Sequence, residues 1–240
     1  MTLDDIMQDI YALEDDMRTY ERKYGVLSET FYEAYANGEE PPDDAWVRDW
    51  TAWASAYRLW LRRRDQYQAS FIPFWPKPSP PDVAQREQRA MNPFRSLRDY
   101  ELYIYSLQRS ESQITRSTLV VAQRGRLFAE LTGDVTFTGG YRLAVYERLT
   151  WDANTVIIEA YSYEVWLGGE KLYWYDSQPH PNDPTLASTH PHHKHLPPDI
   201  KHHRVPAPGL SFSQPNLPFL IAEILEFLLS AESATRSRSV

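Results

Sequence analysis

Residues 125–176 read GRLFAELTGDVTFTGGYRLAVYERLTWDANTVIIEAYSYEVWLGGEKLYWYD. Val, Ile, Thr, Phe and Tyr crowd into segments 125–137, 141–150, 155–167 and 170–176, with a shorter segment at 116–122; such residues suit a pleated, half-buried surface. Gly133-Asp134, Gly139-Gly140, Asp152-Ala153-Asn154 and Gly168-Gly169 punctuate them as hairpin turns. Connections this short demand antiparallel neighbours, so the spacing predicts a curved antiparallel β-meander and excludes a βαβ sheet. Within it, Glu147 can serve as an additional acid–base group, but it reads first as an exposed strand carboxylate.

Outward from the meander the apolar period lengthens. Leu97, Tyr100, Leu102, Tyr103 and Leu107 recur on one side of a helix that opens after Met91-Asn92-Pro93 and runs to about Ser110. On the other flank, LPFLIAEILEFLL at 217–229 is apolar enough to be a helix buried against the sheet. Upstream, Leu3, Ile6, Ile10, Leu13, Met17 and Tyr20 mark an amphipathic helix stopped by Gly25, and a second helix opens at Ser28 and ends at Asn37-Gly38. A third, about 20 residues from Ala45, carries the stripe Trp46, Trp50, Trp53, Tyr57 and Trp60. The expected organisation is α+β: a helical domain over 1–70, a Pro-rich linker over 71–90 (FIPFWPKPSPPDVAQREQRA), and an α+β domain over 91–240 holding a His-rich loop at 176–204.

Hydrophobic residues make up 42% of the 240 residues and aromatics 14%, which is ample for a buried core. Cysteine is absent, excluding disulfides and thiolate ligands. No stretch approaches 18 apolar residues and the N-terminus is acidic, so neither a membrane span nor a signal peptide is expected and a cytoplasmic setting fits. Charge is uneven: residues 1–49 hold 4 Lys/Arg and 14 Asp/Glu, a net of −10 in a chain of −8, so the remainder sums to +2. An acidic segment beside a near-neutral, His-rich body suits a shield over a site meant for a polyanion. On that ground the helix bearing Asp4, Asp5, Asp9, Glu14, Asp15 and Asp16 is expected to dock near the His loop.

All seven histidines lie between Lys171 and Arg204: His180, His190, His192, His193, His195, His202 and His203. Imidazole alone has an unperturbed pKa near neutrality, so such a cluster can hold protonated and neutral rings side by side. Pro179, Pro181, Pro184, Pro191, Pro197 and Pro198 point to an ordered irregular loop rather than a helix or a central strand. The bland alternative is a solvated linker of biased composition.

Tyr161-Ser-Tyr163, Tyr175-Asp176, Pro179-His180 and Pro191-His192-His193-Lys194-His195 before a closing helix resemble the toxin TumE family of prokaryotic toxin–antitoxin systems, over roughly residues 95–229. Ser177 stands where that family favours Asn, and Pro181 where a second His is usual. Residues 14–65, through E21-RKYGVLSETFYEAYANGE-39 and the Trp-rich helix, resemble the small helical antitoxin-like protein found beside such toxins, and Met91 lies near where a separate toxin would begin. The resemblance implies a ribonuclease silenced by an N-terminal inhibitor, with RNA and the intramolecular domain as partners and no membrane; homo-oligomerisation stays open.

Cleavage of RNA through its 2′-hydroxyl needs a base, an acid and a cation for the developing phosphorane charge. His193, His195 and Lys194 offer the three within one segment, with His192, His180 and Asp176 as further candidates and Asp176 orienting an imidazole. Tyr161, Tyr163, Tyr173 and Tyr175 alternate and can present rings to bases, although alternating tyrosines are commonly sheet packing; Arg204 adds a cation for substrate. That route needs no cofactor. Two other classes compete: a metal-dependent hydrolase with three imidazole ligands among His190, His192, His193 and His195 and Asp176 as a fourth ligand or a support behind them, and a non-catalytic binding or inhibitory module.

Overall fold

The computed structural model describes residues 1–71, 93–152 and 155–237. Among them, eight strands form one open antiparallel sheet: β1 (Ile114–Ser117), β2 (Val120–Gln123), β3 (Phe128–Phe137), β4 (Tyr141–Asp152), β5 (Thr155–Leu167), β6 (Glu170–Asp176), β7 (His193–His195) and β8 (Arg204–Pro206). Their order is β1-β3-β4-β5-β6-β7-β8, with β2 sharing the outer edge of β3 beside β1. Helices α1 (Leu3–Tyr24), α2 (Ser28–Ala36) and α3 (Val47–Phe71) precede the sheet; α4 (Leu97–Ser110) enters it and α5 (Leu217–Ser237) closes it. The α+β class and the β3–β6 meander agree with the sequence reading. The linker expected at 71–90 falls almost wholly on residues 72–92, outside the described residues. No described helix is long and apolar enough to cross a membrane.

Gly133-Asp134 is not a turn. β3 runs straight through it, and Gly133 takes φ 130° where the edge partner changes from β1 to β2. A Cβ there would lie 2.4 Å from the Thr118 carbonyl oxygen, so the glycine permits a close backbone approach, not a reversal. The His-rich stretch also departs from expectation. His193–His195 is a strand inside the sheet, paired with β6 on one side and β8 on the other. Its prolines flank the three residues without entering them, so no ladder donor is lost.

The sheet has two covered faces. On one, α4 and α5 bury Tyr100, Ile104, Leu107, Leu220 and Ile224 against Leu131, Val145, Tyr161, Tyr163 and Val165. Glu147 lies in this core with no exposure, accepting bonds from the Tyr100 and Tyr163 hydroxyls at 2.5 and 2.7 Å; the exposed carboxylate read from the sequence is therefore wrong. On the other face, α1–α3 build an aromatic cluster around Trp53, which stacks on Phe31 at 3.8 Å and includes Phe128 from β3. A helical layer this small cannot enclose its aromatics alone and takes a sheet residue to do so.

The two layers meet through buried charge. Arg148 on β4 has no exposure and donates to Glu130 at 2.8 Å, Asp16 at 3.2 Å and the Ser55 hydroxyl at 2.9 Å. Asp9 of α1, equally buried, accepts from Arg63 at 2.9 Å and from the backbone amides of Arg126 and Leu127 at 2.7 and 3.1 Å. Arg62 of α3 forks onto Glu159 at 2.6 and 3.1 Å. The acidic helix thus docks on Arg124, Arg126 and Arg148 at the β2–β4 side of the sheet, not near the histidines as its charge suggested. Those arginines are the specific partners; a mean charge balance had no means of locating them.

Candidate functional site

β6 and β7 place the site. In a strand successive side chains point to opposite faces, and the register pairs Trp174 with His195, Tyr175 with Lys194 and Asp176 with His193. Trp174, Asp176, His193 and His195 therefore share the face covered by α1–α3, while Tyr173, Tyr175 and Lys194 share the face covered by α4 and α5.

On the first face, His193 Nε2 and His195 Nε2 lie 2.9 Å apart. Asp176 Oδ1 is 3.1 Å from His193 Nε2, and its Oδ2 is 3.3 Å from His195 Nε2. The three residues are 3% exposed or less. Each contributing one atom, they bring three potential metal-ligand atoms within 4.8 Å of one another. Every remaining polar atom of the trio is engaged. His193 Nδ1 is 2.9 Å from the Pro191 carbonyl, and His195 Nδ1 lies 3.0 and 3.1 Å from the carbonyls of Ile200 and Lys201. Asp176 accepts from the Trp174 indole at 3.0 Å and the Gln178 amide at 2.8 Å. Trp174 also stacks on the His195 ring, centroids 4.0 Å apart. Burial works to raise the Asp176 pKa, but the neighbouring His193 and His195 hold the carboxyl well below the usual carboxylate range. Burial pushes His193 down while Asp176 opposes it.

His180 stands beside the trio, its ring 4.8 Å from that of His193, with a buried Nε2 that has no hydrogen-bond partner. Burial lowers its pKa to about 4. The connection between α2 and α3 lies over this corner. A Cβ on Gly38 would sit 3.1 Å from His180 Nδ1; Gln178 donates to the Glu39 carbonyl at 2.5 Å; Lys201 donates to the Pro41 carbonyl at 2.7 Å; and Glu40 forms an ion pair with Arg204. What remains between Glu40, Pro41, Val47, Trp174, Asp176, Gln178, His195 and Lys201 is a cavity of about 10 Å³, room for roughly one water.

Several sequence candidates fall elsewhere. Lys194 reaches Glu223 of α5 at 2.6 Å and lies over the Tyr173 ring, so strand alternation removes it from the two histidines it separates. Tyr161, Tyr163 and Tyr175 are buried in the opposite core and offer no face to a base. His192 also faces that side, 2.7 Å from the Tyr161 hydroxyl and packed on Phe212, with burial lowering its pKa to about 4. Neither His192 nor His190 joins His193 and His195 in the ligand cluster, where Asp176 takes the third place. Arg204 lies at the covered rim. Trp174, Gln178, Glu40, Pro41 and Lys201 are not site candidates in the sequence. Period-two spacing from Asp176 marks Trp174, but nothing local points to residues 38–41.

A family model described as Toxin TumE matches residues 104–228. No curated protein and no solved structure matches the chain.

Proposed function

We propose, on the premise that this chain belongs to the toxin TumE family, that it is an RNA-cleaving toxin carrying its own antitoxin-like inhibitor, residues 1–70, ahead of the toxin domain at 91–240. The observation that carries this reading is the convergence of Asp176, His193 and His195 beneath residues 38–41. Two imidazoles facing each other across 2.9 Å form a unit that holds and passes a proton, which is what attack by a 2′-hydroxyl and departure of a 5′-oxygen require. His180, whose Nε2 has no partner, is the second proton-handling group, and Asp176 balances the charge of the pair. Lys201 and Arg204 at the rim supply the cations for a phosphate once Pro41 and Glu40 move away.

Latency follows from the same geometry, because a cavity that admits one water does not admit a nucleotide. The inhibitory contact is Glu40 on Arg204, a carboxylate seated where a phosphate would bind. A metal-dependent route through the same residues is favoured by the lone pairs that converge on the cluster, and retention or loss of cleavage in excess EDTA separates the two.

The test is Glu40→Arg in the intact chain, which sets two guanidinium groups against each other. Opening is followed by limited proteolysis across residues 38–44. The wild type is expected to leave bacterial growth and purified RNA intact, Glu40→Arg to arrest growth and cleave RNA, and added His193→Ala to abolish both. An opened chain without effect on RNA rejects the toxin chemistry, and undiminished cleavage in the double variant rejects this cluster as its seat.

A further inference from the structure

The proton inventory of the cluster is the starting point. A backbone carbonyl only accepts, so the contacts of His193 Nδ1 with Pro191 and of His195 Nδ1 with Ile200 and Lys201 place the ring protons on the two Nδ1 atoms. Each neutral ring then turns an unprotonated Nε2 inward. Two such lone pairs meet a carboxylate at separations of 2.9, 3.1 and 3.3 Å, in a place with almost no solvent. Three acceptors without a shared donor repel one another, and leaving buried polar atoms unsatisfied costs free energy. A single cation at their centre satisfies all three.

We infer that Asp176, His193 and His195 form a divalent transition-metal site. An ion bound at the usual 2.0–2.2 Å from nitrogen and oxygen spaces its ligand atoms roughly 2.9–3.6 Å apart in tetrahedral or octahedral geometry; the two Nε2 atoms, and each Nε2 with the carboxylate oxygen it faces, lie in that range, Oδ1 turned to His193 and Oδ2 to His195. The surroundings are those of a built site. Both imidazoles donate their outer N–H to a carbonyl, which fixes tautomer and orientation, and the carboxylate is held by the Trp174 indole and the Gln178 amide. Two imidazoles and one carboxylate suit Zn²⁺, with Co²⁺ as its spectroscopic substitute, better than Mg²⁺ or Ca²⁺, which prefer all-oxygen sites. Three protein ligands leave a coordination position for water or substrate, so the site is of the catalytic kind rather than a closed structural one. The cavity that reaches Asp176 and His195 provides the access, and the unpartnered Nε2 of His180 stands ready to bond a metal-bound water. The inference rests on the metal-dependent form of the proposed function, in which the two Nε2 atoms hold the ion instead of passing a proton and His180 is left as the proton-handling group; it does not depend on RNA being the substrate.

The test uses the untagged full-length chain stripped of metal by chelator dialysis. Co²⁺ titration is followed by its visible d–d absorption, and bound Zn²⁺ is counted by elemental analysis. One equivalent per chain is expected, displaced by Zn²⁺ and unaffected by Mg²⁺. Affinity should fall at least about 10-fold in Asp176→Asn and in His193→Ala, and stay unchanged in the exposed pair His202→Ala/His203→Ala. The melting temperature of the wild type should rise with Zn²⁺, a readout that survives even if a ligand variant fails to fold. Absence of saturable one-equivalent binding, or binding lost only in the His202/His203 variant, overturns the site. Because no RNA enters the assay, intact Co²⁺ binding in a Glu40→Arg chain that has opened and is still inert toward RNA rejects the ribonuclease alone, whereas EDTA-resistant cleavage by that variant without Co²⁺ binding rejects the metal alone.

Discussion

Glu147 shows how burial overrules what a residue type suggests. In RLAVYERL it is one carboxylate among alternating residues, yet it sits under α4 with two tyrosine hydroxyls as donors. Burial raises its pKa to about 7, against the lowering effect of those two bonds. A raised folded pKa sets the sign. Below about pH 4.5, the ordinary value, folded and unfolded chains both carry the proton and no penalty arises. Between there and about 7 the unfolded chain ionises first, so stability is lost as pH rises, and above 7 the loss is constant. About 2.5 pH units correspond to roughly 3 kcal/mol. Glu147→Gln keeps the shape without the charge. Its stability relative to wild type, from urea unfolding at pH 5 and pH 8, should therefore improve by roughly 2–3 kcal/mol at the higher pH. A difference independent of pH would mean that the folded core leaves the Glu147 carboxyl at its ordinary value.

At the scale of the element, three residues of β7 decide the chemistry. His193, Lys194 and His195 adjoin in sequence and suggest one catalytic unit, but a strand sends the middle side chain through to the other face. There Lys194 ties β7 to α5: Glu223 accepts from it at 2.6 Å and from the Tyr173 and Tyr175 hydroxyls at 2.8 and 2.9 Å. Lys194→Ala leaves a largely buried Glu223 without its cation and should cost about 1–3 kcal/mol. Co²⁺ affinity at the cluster should stay as in wild type. Lys194→Ala added to Glu40→Arg that keeps its stability but has lost cleavage activity would restore Lys194 to the catalytic role its position in the sequence suggests.

At the scale of the molecule, α1–α3 cover the same sheet face that carries His193 and His195, so the helical layer and the candidate site share one layer boundary. The acids of α1 are not equivalent, because Asp9 and Asp16 are buried in ion pairs. Asp9→Ala strips buried Arg63 and two backbone amides of their acceptor and should cost about 3–5 kcal/mol. Asp15, with its side chain 78% exposed, should tolerate lysine within about 0.5 kcal/mol. Calorimetry of Asp9→Ala reads the coupling of the layers. One transition moved down as a whole is expected from the charge network around Arg148; an early transition followed by an unshifted one would make the helical layer an independent domain.

Sequence alone determined the elements whose cause is local: the meander from β-branched segments and glycine turns, and the amphipathic α1 from its three- and four-residue steps; the crowding of histidine marked the region of the candidate site. It also named the residues that converge, since Asp176, His193 and His195 were all candidates. Only the tertiary structure decided which of the histidines come together, because strand register, not adjacency, chooses the face. It alone located the cover at residues 38–41, whose partners Gln178, Lys201 and Arg204 lie more than a hundred residues away. Periodicity reports which side of an element avoids water. It carries no information on what distant segment arrives there, and that is settled by how whole layers pack and which buried charges find partners.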